Sequence, residues 1–199
     1  MVELDVHTSS DRVPVIIHDA NLSRTTNGTG EVSKYTLSEL KKLDAGEGQT
    51  IPTLAEAIAC CREHELGLYL ELKSSRAIPA ISELVRQHNL YRQTIVTSFR
   101  PDWLADVRAL DPDIVTRVLF SSVPINPVAL AHAAGAQYVH PAWEQHAAEP
   151  HRLLTPEWIS RVQAAGLGLI AGMKSARPRL PGSINWGWMG SAATPPTCS

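Results

Sequence analysis

Short strand-like runs alternate with amphipathic helix-like runs through most of this chain, and that alternation limits the fold more than any other feature. The runs with strand character are Val2–Val6, Val13–His18, Leu68–Lys73, Thr94–Phe99, Ile114–Phe120 and Gln137–His140. The runs with helix character are Thr53–Leu66, Ile78–Asn89, Pro101–Leu110, Pro127–Gly135 and Pro156–Gly166. Alternation of this kind predicts βα units that form a parallel sheet. No glycine-rich phosphate-binding motif follows a strand, so an α/β fold of the TIM-type (β/α) barrel is favoured over a Rossmann sheet.

Two segments do not follow this alternation, and they set the predicted domain boundaries. Residues 21–48 are polar and rich in Thr, Gly and Asn, which predicts a small polar subdomain inserted after the second strand. Residues 172–199 show neither strand nor helix periodicity. We therefore expect a partial barrel over residues 1–171, interrupted by the insertion, and a tail at 172–199 that is disordered or out of frame.

The composition excludes several classes of partner. Hydrophobic residues make up 44% of the 199 residues and the formal net charge is −2, so no basic surface for nucleic acid is expected. No apolar run reaches the roughly 20 residues of a membrane span. The three cysteines form no Cys-x-x-Cys pair, which favours a reducing compartment, and we expect a cytoplasmic protein. The expected partner is a small molecule.

The first candidate site is the sequence Glu3-Leu4-Asp5 on the first strand. Residues two apart on a strand project to the same side, so the two carboxylates point together. The other face, Val2, Leu4 and Val6, is apolar and is expected to pack under helices. Two inward carboxylates repel each other unless a cation compensates them, and hard oxygen ligands suit Mg²⁺ or Ca²⁺. A solvated acidic pair on a surface strand is the alternative interpretation.

The third strand repeats this arrangement with Glu71 and Lys73, which share a face by the same rule. Glu71 would supply a third carboxylate for a metal site, and Lys73 would meet a phosphate oxygen as a point charge. The alternative is a plain Glu–Lys ion pair at the end of a strand, which contributes little stability.

A histidine follows the second strand. His18 ends a β-branched run and precedes Asp19, so it is interpreted as a residue at the carboxyl end of a barrel strand, where active-site residues lie. Histidine is the usual proton carrier near neutral pH. A buried structural histidine is the alternative. His140 is kept as a second candidate, and the other histidines, including His7, are interpreted as solvated or packing residues.

Taken together, these segments resemble the glycerophosphodiester phosphodiesterase family. The likeness extends over about residues 2–171 and is weaker after Phe99. It is carried in order by Glu3-Leu4-Asp5, His18-Asp19, Arg24-Thr25-Thr26-Asn27-Gly28-Thr29-Gly30, Ile51-Pro52-Thr53-Leu54, Glu71-Leu72-Lys73 and Thr97-Ser98-Phe99.

The resemblance implies roles for five residues. Glu3, Asp5 and Glu71 match the family's ligands for a divalent metal, Ca²⁺ or Mg²⁺. His18 matches one of its two catalytic histidines, and Lys73 matches a residue near the phosphate. Residues 21–48 match the family's small inserted subdomain. The implied reaction is hydrolysis of a glycerophosphodiester to sn-glycerol 3-phosphate and an alcohol.

Two other functions remain open at this point. One is a catalytically inactive barrel remnant that retains only metal or phosphate binding. The other is a related barrel phospholipase that acts on phosphoinositides or sphingomyelin, against which the Arg24–Gly30 signature argues.

The sequence departs from the family at both ends. The family's His-Arg strand and the helix with Glu-Asn-Thr do not precede Val2, so we expect a barrel without its first strand, its second catalytic histidine and a phosphate-binding arginine. The likeness ends after Ala171. When the codons that encode Asn185–Gly190 are read in the neighbouring reading frame, they give Leu-Gly-x-Asp-Gly. This sequence matches the family's final strand. Our hypothesis is that residues 172–199 are out of frame and the last strand is lost; a genuine disordered tail is the alternative.

Overall fold

The structure, a computed structural model, describes residues 1–143 and 149–171, so the tail predicted at 172–199 lies outside the described residues. Its strands are β1 (Val2–Thr8), β2 (Pro14–Ile16), β3 (Leu68–Leu72), β4 (Thr94–Ser98), β5 (Val115–Phe120), β6 (Tyr138–Pro141) and β7 (Gly168–Leu169). They form one sheet in the order β2-β1-β3-β4-β5-β6-β7. Every neighbouring pair is parallel except β1 and β2, which are antiparallel.

The α-helices lie between the strands along the chain. They are α1 (Leu37–Leu40), α2 (Leu54–Glu63), α3 (Ile78–Gln87), α4 (Pro101–Leu110), α5 (Pro127–Ala134) and α6 (Pro156–Ala164), with 3₁₀ turns at Leu22–Arg24, Val32–Lys34, Ser75–Ala77 and Pro150–Leu153. The ends follow local sequence signals. Thr53 and Glu56 form the capping box that begins α2. Gly135 has a φ of 60° and ends α5, because a left-handed residue terminates a helix most readily when it has no Cβ.

The main core lies between the helices and one face of the sheet. On β3 this face consists of Leu68, Leu70 and Leu72, each at most 2% exposed. Val96 and Val118 continue the face across β4 and β5 and are fully buried. Removing such side chains from water stabilises the fold by about 1.5–3 kcal/mol each. Because alternate residues of a strand point to opposite faces, this packing directs the intervening residues of each strand to the other, inner face.

The α/β class with a parallel-rich sheet that the sequence predicts is confirmed, but β2 runs antiparallel to β1. Ile16 at the end of β2 lies opposite Val6, which is in register with Leu72 at the carboxyl end of β3, so the end of β2 lies near the carboxyl ends of the parallel strands. The five residues between Thr8 and Pro14 explain the antiparallel direction. A parallel crossover needs a dozen or more residues, whereas an antiparallel hairpin needs only a few. Arg12 takes a positive φ of 66° in the turn.

The insertion at 21–48 packs beside β2 over a small second core. That core is formed by Val15, Ile17, Leu22, Val32, Leu40 and Ile51. The segment is therefore held by apolar contacts that its polar composition conceals.

The two outer strands of the sheet are β2 and β7, and they do not pair with each other in the described part of the chain. This open sheet agrees with the incomplete barrel expected from the sequence. No helix within residues 1–143 and 149–171 is long and apolar enough to span a membrane.

The register of β7 on β6 generates a test of the fold. A Cβ atom added at Gly168 would lie 2.2 Å from Cδ1 of Tyr138, far inside van der Waals contact. We expect Gly168→Ala to lower the free energy of unfolding by about 1–3 kcal/mol, since overpacking forces neighbouring groups apart. Urea denaturation measures this cost.

A double-mutant cycle provides the control. In a Tyr138→Ala background the same Gly168→Ala change should cost less, because the clashing ring is gone. An equal cost in both backgrounds would contradict the register.

Candidate active site

Three carboxylates meet on the inner face of β1 and β3. Asp5 is in register with Glu71, and Glu3 lies two residues before Asp5 on the same face. One ligand oxygen from each of Glu3, Asp5 and Glu71 can be chosen so that all lie within 4.8 Å of one another. The structure thus brings together the three residues that the sequence selected as metal ligands.

Lys73 lies against two of these carboxylates. Its Nζ is 3.1 Å from Oδ1 of Asp5 and donates a hydrogen bond to Oε1 of Glu71. Desolvation lowers the pKa of Lys73, but the hydrogen bond to Glu71 and the charges of Glu71 and Asp5 outweigh it and raise the pKa overall. Lys73 therefore remains a cation at the site. The sequence left two interpretations of this strand open, a metal ligand or a plain Glu71–Lys73 ion pair. The structure contains the ion pair and the carboxylate cluster together.

The Oδ1 atom of Asp5 is a buried oxygen of this site that accepts no hydrogen bond from the described residues. Its contact with Lys73 is close enough for an ion pair but is not aligned as a hydrogen bond. A buried carboxylate oxygen without a hydrogen bond is costly, because water no longer solvates it. Three carboxylates with one oxygen in this state form the hard, oxygen-only donor set that Mg²⁺ and Ca²⁺ prefer. The residues present therefore fit a divalent cation.

The electrostatic strain of the cluster is visible at Glu3. Desolvation by the surrounding protein, followed by repulsion from Asp5 and Glu71, raises the pKa of Glu3 to about 7, although the residue is exposed overall. Lys73 and Arg117 lower it, but less. Without a further cation, the third negative charge of the cluster is therefore only partly present near neutral pH.

His18 lies two residues after β2, beside β1. The backbone N–H of Ile17 donates to the carbonyl of Asp5 (3.1 Å), which fixes this segment next to the carboxylates. The His18 side chain is 66% exposed, and its Nδ1 lies 2.6 Å from Oδ1 of Asp19. Asp19 also accepts two hydrogen bonds from Arg24, from Nε and, at 2.9 Å, from Nη2. These bonds hold the pKa of Asp19 far below its usual range, the one from Arg24 contributing most.

The residues that follow form a loop that positions Arg24. The side chain of Asn21 caps the 3₁₀ turn Leu22–Arg24 by accepting from the backbone N–H of Ser23 (3.0 Å). Thr26 then donates its hydroxyl to the carbonyl of Leu22 (2.7 Å) and closes the turn. Local hydrogen bonds of this kind are the reason that Asn and Thr are frequent in such loops.

Residues 1–171 match the model of the glycerophosphoryl diester phosphodiesterase family. A glycerophosphodiester phosphodiesterase from Caldanaerobacter subterraneus subsp. tengcongensis is 34% identical over 152 residues, which are 70% of this chain and 63% of that protein.

The chain belongs to the glycerophosphoryl diester phosphodiesterase family.

Two further relatives show how much of a family member this chain spans. Human glycerophosphodiester phosphodiesterase 1 is 33% identical over 127 residues, which are 58% of this chain but 38% of the human protein. An Oleispira antarctica phosphodiesterase, solved with the product sn-glycerol-3-phosphate, is 33% identical. It superimposes with a TM-score of 0.76 over 88% of this chain and 73% of that one. The chain thus spans between about two fifths and three quarters of these relatives' lengths.

His7 belongs to the same face as the carboxylates, although sequence analysis set it aside. It follows Asp5 by two positions, and its Nε2 lies 3.3 Å from the carbonyl oxygen of His18. Desolvation lowers the pKa of His7, with a smaller contribution in the same direction from Lys73. The period-two rule that selected Glu3 and Asp5 would have selected His7 as well.

Arg117 and His140 also lie on the inner face, on β5 and β6. Sequence analysis missed Arg117, whose signal was a charge in the middle of an apolar strand; the residue is only 4% exposed. Burial, followed by the charge of Arg117, lowers the pKa of His140 to about 3, so this ring stays neutral. The structure therefore offers no support for His140 as a proton carrier near neutral pH.

The raised pKa of Glu3 generates a testable prediction. In metal-free protein the carboxyl group should titrate with a midpoint near pH 7, protonated below and charged above. Asp5→Asn should lower this midpoint, because it removes part of the repulsion. Carboxyl carbon chemical shifts followed by NMR measure both values.

Addition of a divalent cation should lower the midpoint as well, since the cation favours the charged form. A Glu3 midpoint near its ordinary value of 4.5 in metal-free protein would contradict the described geometry.

Proposed function

We propose that this chain carries the site of a metal-dependent hydrolase that cleaves glycerophosphodiesters to sn-glycerol 3-phosphate and an alcohol. The observation that carries the proposal is the carboxylate cluster of Glu3, Asp5 and Glu71 beside Lys73, within a member of this family. The product held by the Oleispira antarctica relative supports sn-glycerol 3-phosphate as the product here.

Glu3, Asp5 and Glu71 would hold the metal, Ca²⁺ or Mg²⁺. A bound divalent cation supplies Lewis acidity, which polarises phosphoryl oxygens and neutralises the charge that develops on them. Lys73 presents an ammonium group next to the same carboxylates and would bind a phosphate oxygen as a point charge. The site then carries positive charge where the phosphodiester is negative.

His18 is proposed as the proton carrier, and its partners determine which nitrogen acts. Asp19 is ionised and can only accept, so the hydrogen bond between them places the His18 proton on Nδ1. The lone pair of Nε2 is then available to take a proton from the glycerol hydroxyl or a water, and to return it to the leaving oxygen. Arg24 fixes Asp19 from the other side. Asp19 and Arg24 would thus hold the ring in its reactive tautomer.

A non-catalytic binding domain is the second candidate, and two observations favour it. The sheet is open between β2 and β7 in the described residues, and the His18 side chain is 66% exposed. The product assay below separates this candidate from the hydrolase.

Three further expectations from the sequence stand as proposals. The functional unit is residues 1–171 with the insertion at 21–48, the substrate is a small molecule, and the location is cytoplasmic.

The direct test of the function is a product assay on the whole chain. With glycerophosphocholine and Ca²⁺ or Mg²⁺, we expect sn-glycerol 3-phosphate to be released, and chelation of the metal should abolish the release. Phosphocholine as the product would contradict the proposed cleavage, and absence of any product would favour the binding domain.

The metal ligands generate a prediction for substitution. Glu71→Gln should lower kcat/KM by about 100-fold or more and weaken Mn²⁺ binding, because the site loses a charged ligand. Glu83→Gln is the control, since Glu83 lies on the outer helix α3 and pairs with Arg86. Equal activities of the two variants would contradict the assignment of Glu71.

The orientation of His18 generates a second prediction. Asp19→Asn should lower kcat by about 10- to 100-fold, because an amide no longer specifies the proton on Nδ1. The exposed Asp113→Asn variant controls for an unspecific effect of replacing a carboxylate by an amide. An unchanged kcat in Asp19→Asn would show that Asp19 does not position the catalytic ring.

A further inference from the structure

Arg117 is a buried cation on the inner face for which the proposed reaction has no use. It is 4% exposed, its Nε donates to Oγ1 of Thr97 (3.2 Å), and its guanidinium carbon lies 4.2 Å from the centroid of the Tyr69 ring. Within residues 1–143 and 149–171 it forms no ion pair with a carboxylate. Arginine is rarely buried without a counter-charge, so its place requires an explanation.

The sheet register places Arg117 in the same row as the acidic cluster. Asp5 is in register with Glu71, Glu71 with Thr97, and Thr97 with Arg117. The Arg117 side chain then crosses β4, because its guanidinium stacks on Tyr69 of β3. Its positive charge is therefore directed towards the carboxylates.

Tyr69 itself is in register with Glu3, so the stacked guanidinium approaches this carboxylate too. The influence is mutual. Burial lowers the pKa of Arg117, and the charges of Glu71 and Glu3 oppose this shift, while Arg117 lowers the pKa of Glu3.

The charges on this face suggest what Arg117 does. With all groups ionised, the three carboxylates together with Lys73 and Arg117 give a net charge of −1. One divalent cation changes this charge to +1, and a phosphodiester monoanion then brings it to zero. Without Arg117 the metal-loaded site would be neutral, and it would attract an anion less.

The following inference rests on the proposed function. We propose that Arg117 is a counter-cation of the acidic site. Its charge weakens the binding of the metal by the carboxylates and strengthens the binding of the substrate phosphate. Arg117 is thus a positioning residue that acts through the field at the carboxylates, without contacting the reacting atoms. The stack on Tyr69 and the hydrogen bond to Thr97 hold the guanidinium group in place on the inner face of the sheet.

This role predicts effects of opposite sign on the two ligands. Loss of one positive charge should tighten divalent-ion binding by roughly tenfold and weaken anion binding by a few-fold, because the Coulomb energy scales with the product of the charges. A residue that only supports the fold would weaken both when it is removed.

The experiment measures binding without turnover on the full chain. Mn²⁺ alone is titrated by the EPR signal of the free ion, and sn-glycerol 3-phosphate is titrated by calorimetry with Mn²⁺ present. Arg117→Met and Arg117→Gln remove the charge, and the glutamine can still donate to Thr97. Arg117→Lys keeps the charge. Arg100→Met is the matched control, because Arg100 also stacks on an aromatic ring, 5.0 Å from Trp103, but is exposed.

We expect tighter Mn²⁺ binding and weaker sn-glycerol 3-phosphate binding in both neutral variants, with Arg117→Lys and Arg100→Met close to the unaltered protein. Weakening of both ligands, no change in either, or failure of both neutral variants to fold while Arg117→Lys folds would overturn the inference. Absence of Mn²⁺ binding by the unaltered chain would contradict the proposed function itself, and the inference with it.

Discussion

Electrostatic repulsion among three carboxylates is the constraint on which the rest of the site depends. Glu3, Asp5 and Glu71 are held together because the apolar residues between them pack under helices, so the strands cannot turn the acidic side chains outward. Lys73 compensates part of this repulsion. The raised pKa of Glu3 reflects burial together with the repulsion that Lys73 does not compensate. The fold therefore maintains a local excess of negative charge, which a divalent cation would neutralise.

The second part of the site has a different physical basis. His18 lies on a short antiparallel return of the chain, where its backbone is fixed to β1 through the bond between Ile17 and Asp5. Its ring is oriented by Asp19 and Arg24, and the loop around Arg24 is stabilised by local hydrogen bonds. The proposed metal ligands are thus positioned by the sheet, whereas the proposed proton carrier is positioned by a polar segment. This division explains why the segment that follows His18 is polar.

Much of this arrangement could be predicted from the sequence, because it depends on strand periodicity. The rule that residues two apart share a face found Glu3 with Asp5 and Glu71 with Lys73, and the βα alternation predicted the parallel sheet. The direction of β2 was missed, although the length of the preceding turn determines it. Arg117 could not have been placed, because its path across β4 onto Tyr69 depends on tertiary packing. The apolar contacts of residues 21–48 were concealed for the same reason.

The central claim is that the carboxylate cluster is a metal site, and crystals of this chain soaked in Mn²⁺ test it most directly. The account predicts an anomalous scattering peak within about 2.0–2.4 Å of oxygens from Glu3, Asp5 and Glu71, with the Lys73 ammonium displaced from Asp5. An anomalous peak elsewhere, or Lys73 still bound between Asp5 and Glu71 at saturating Mn²⁺, would contradict it.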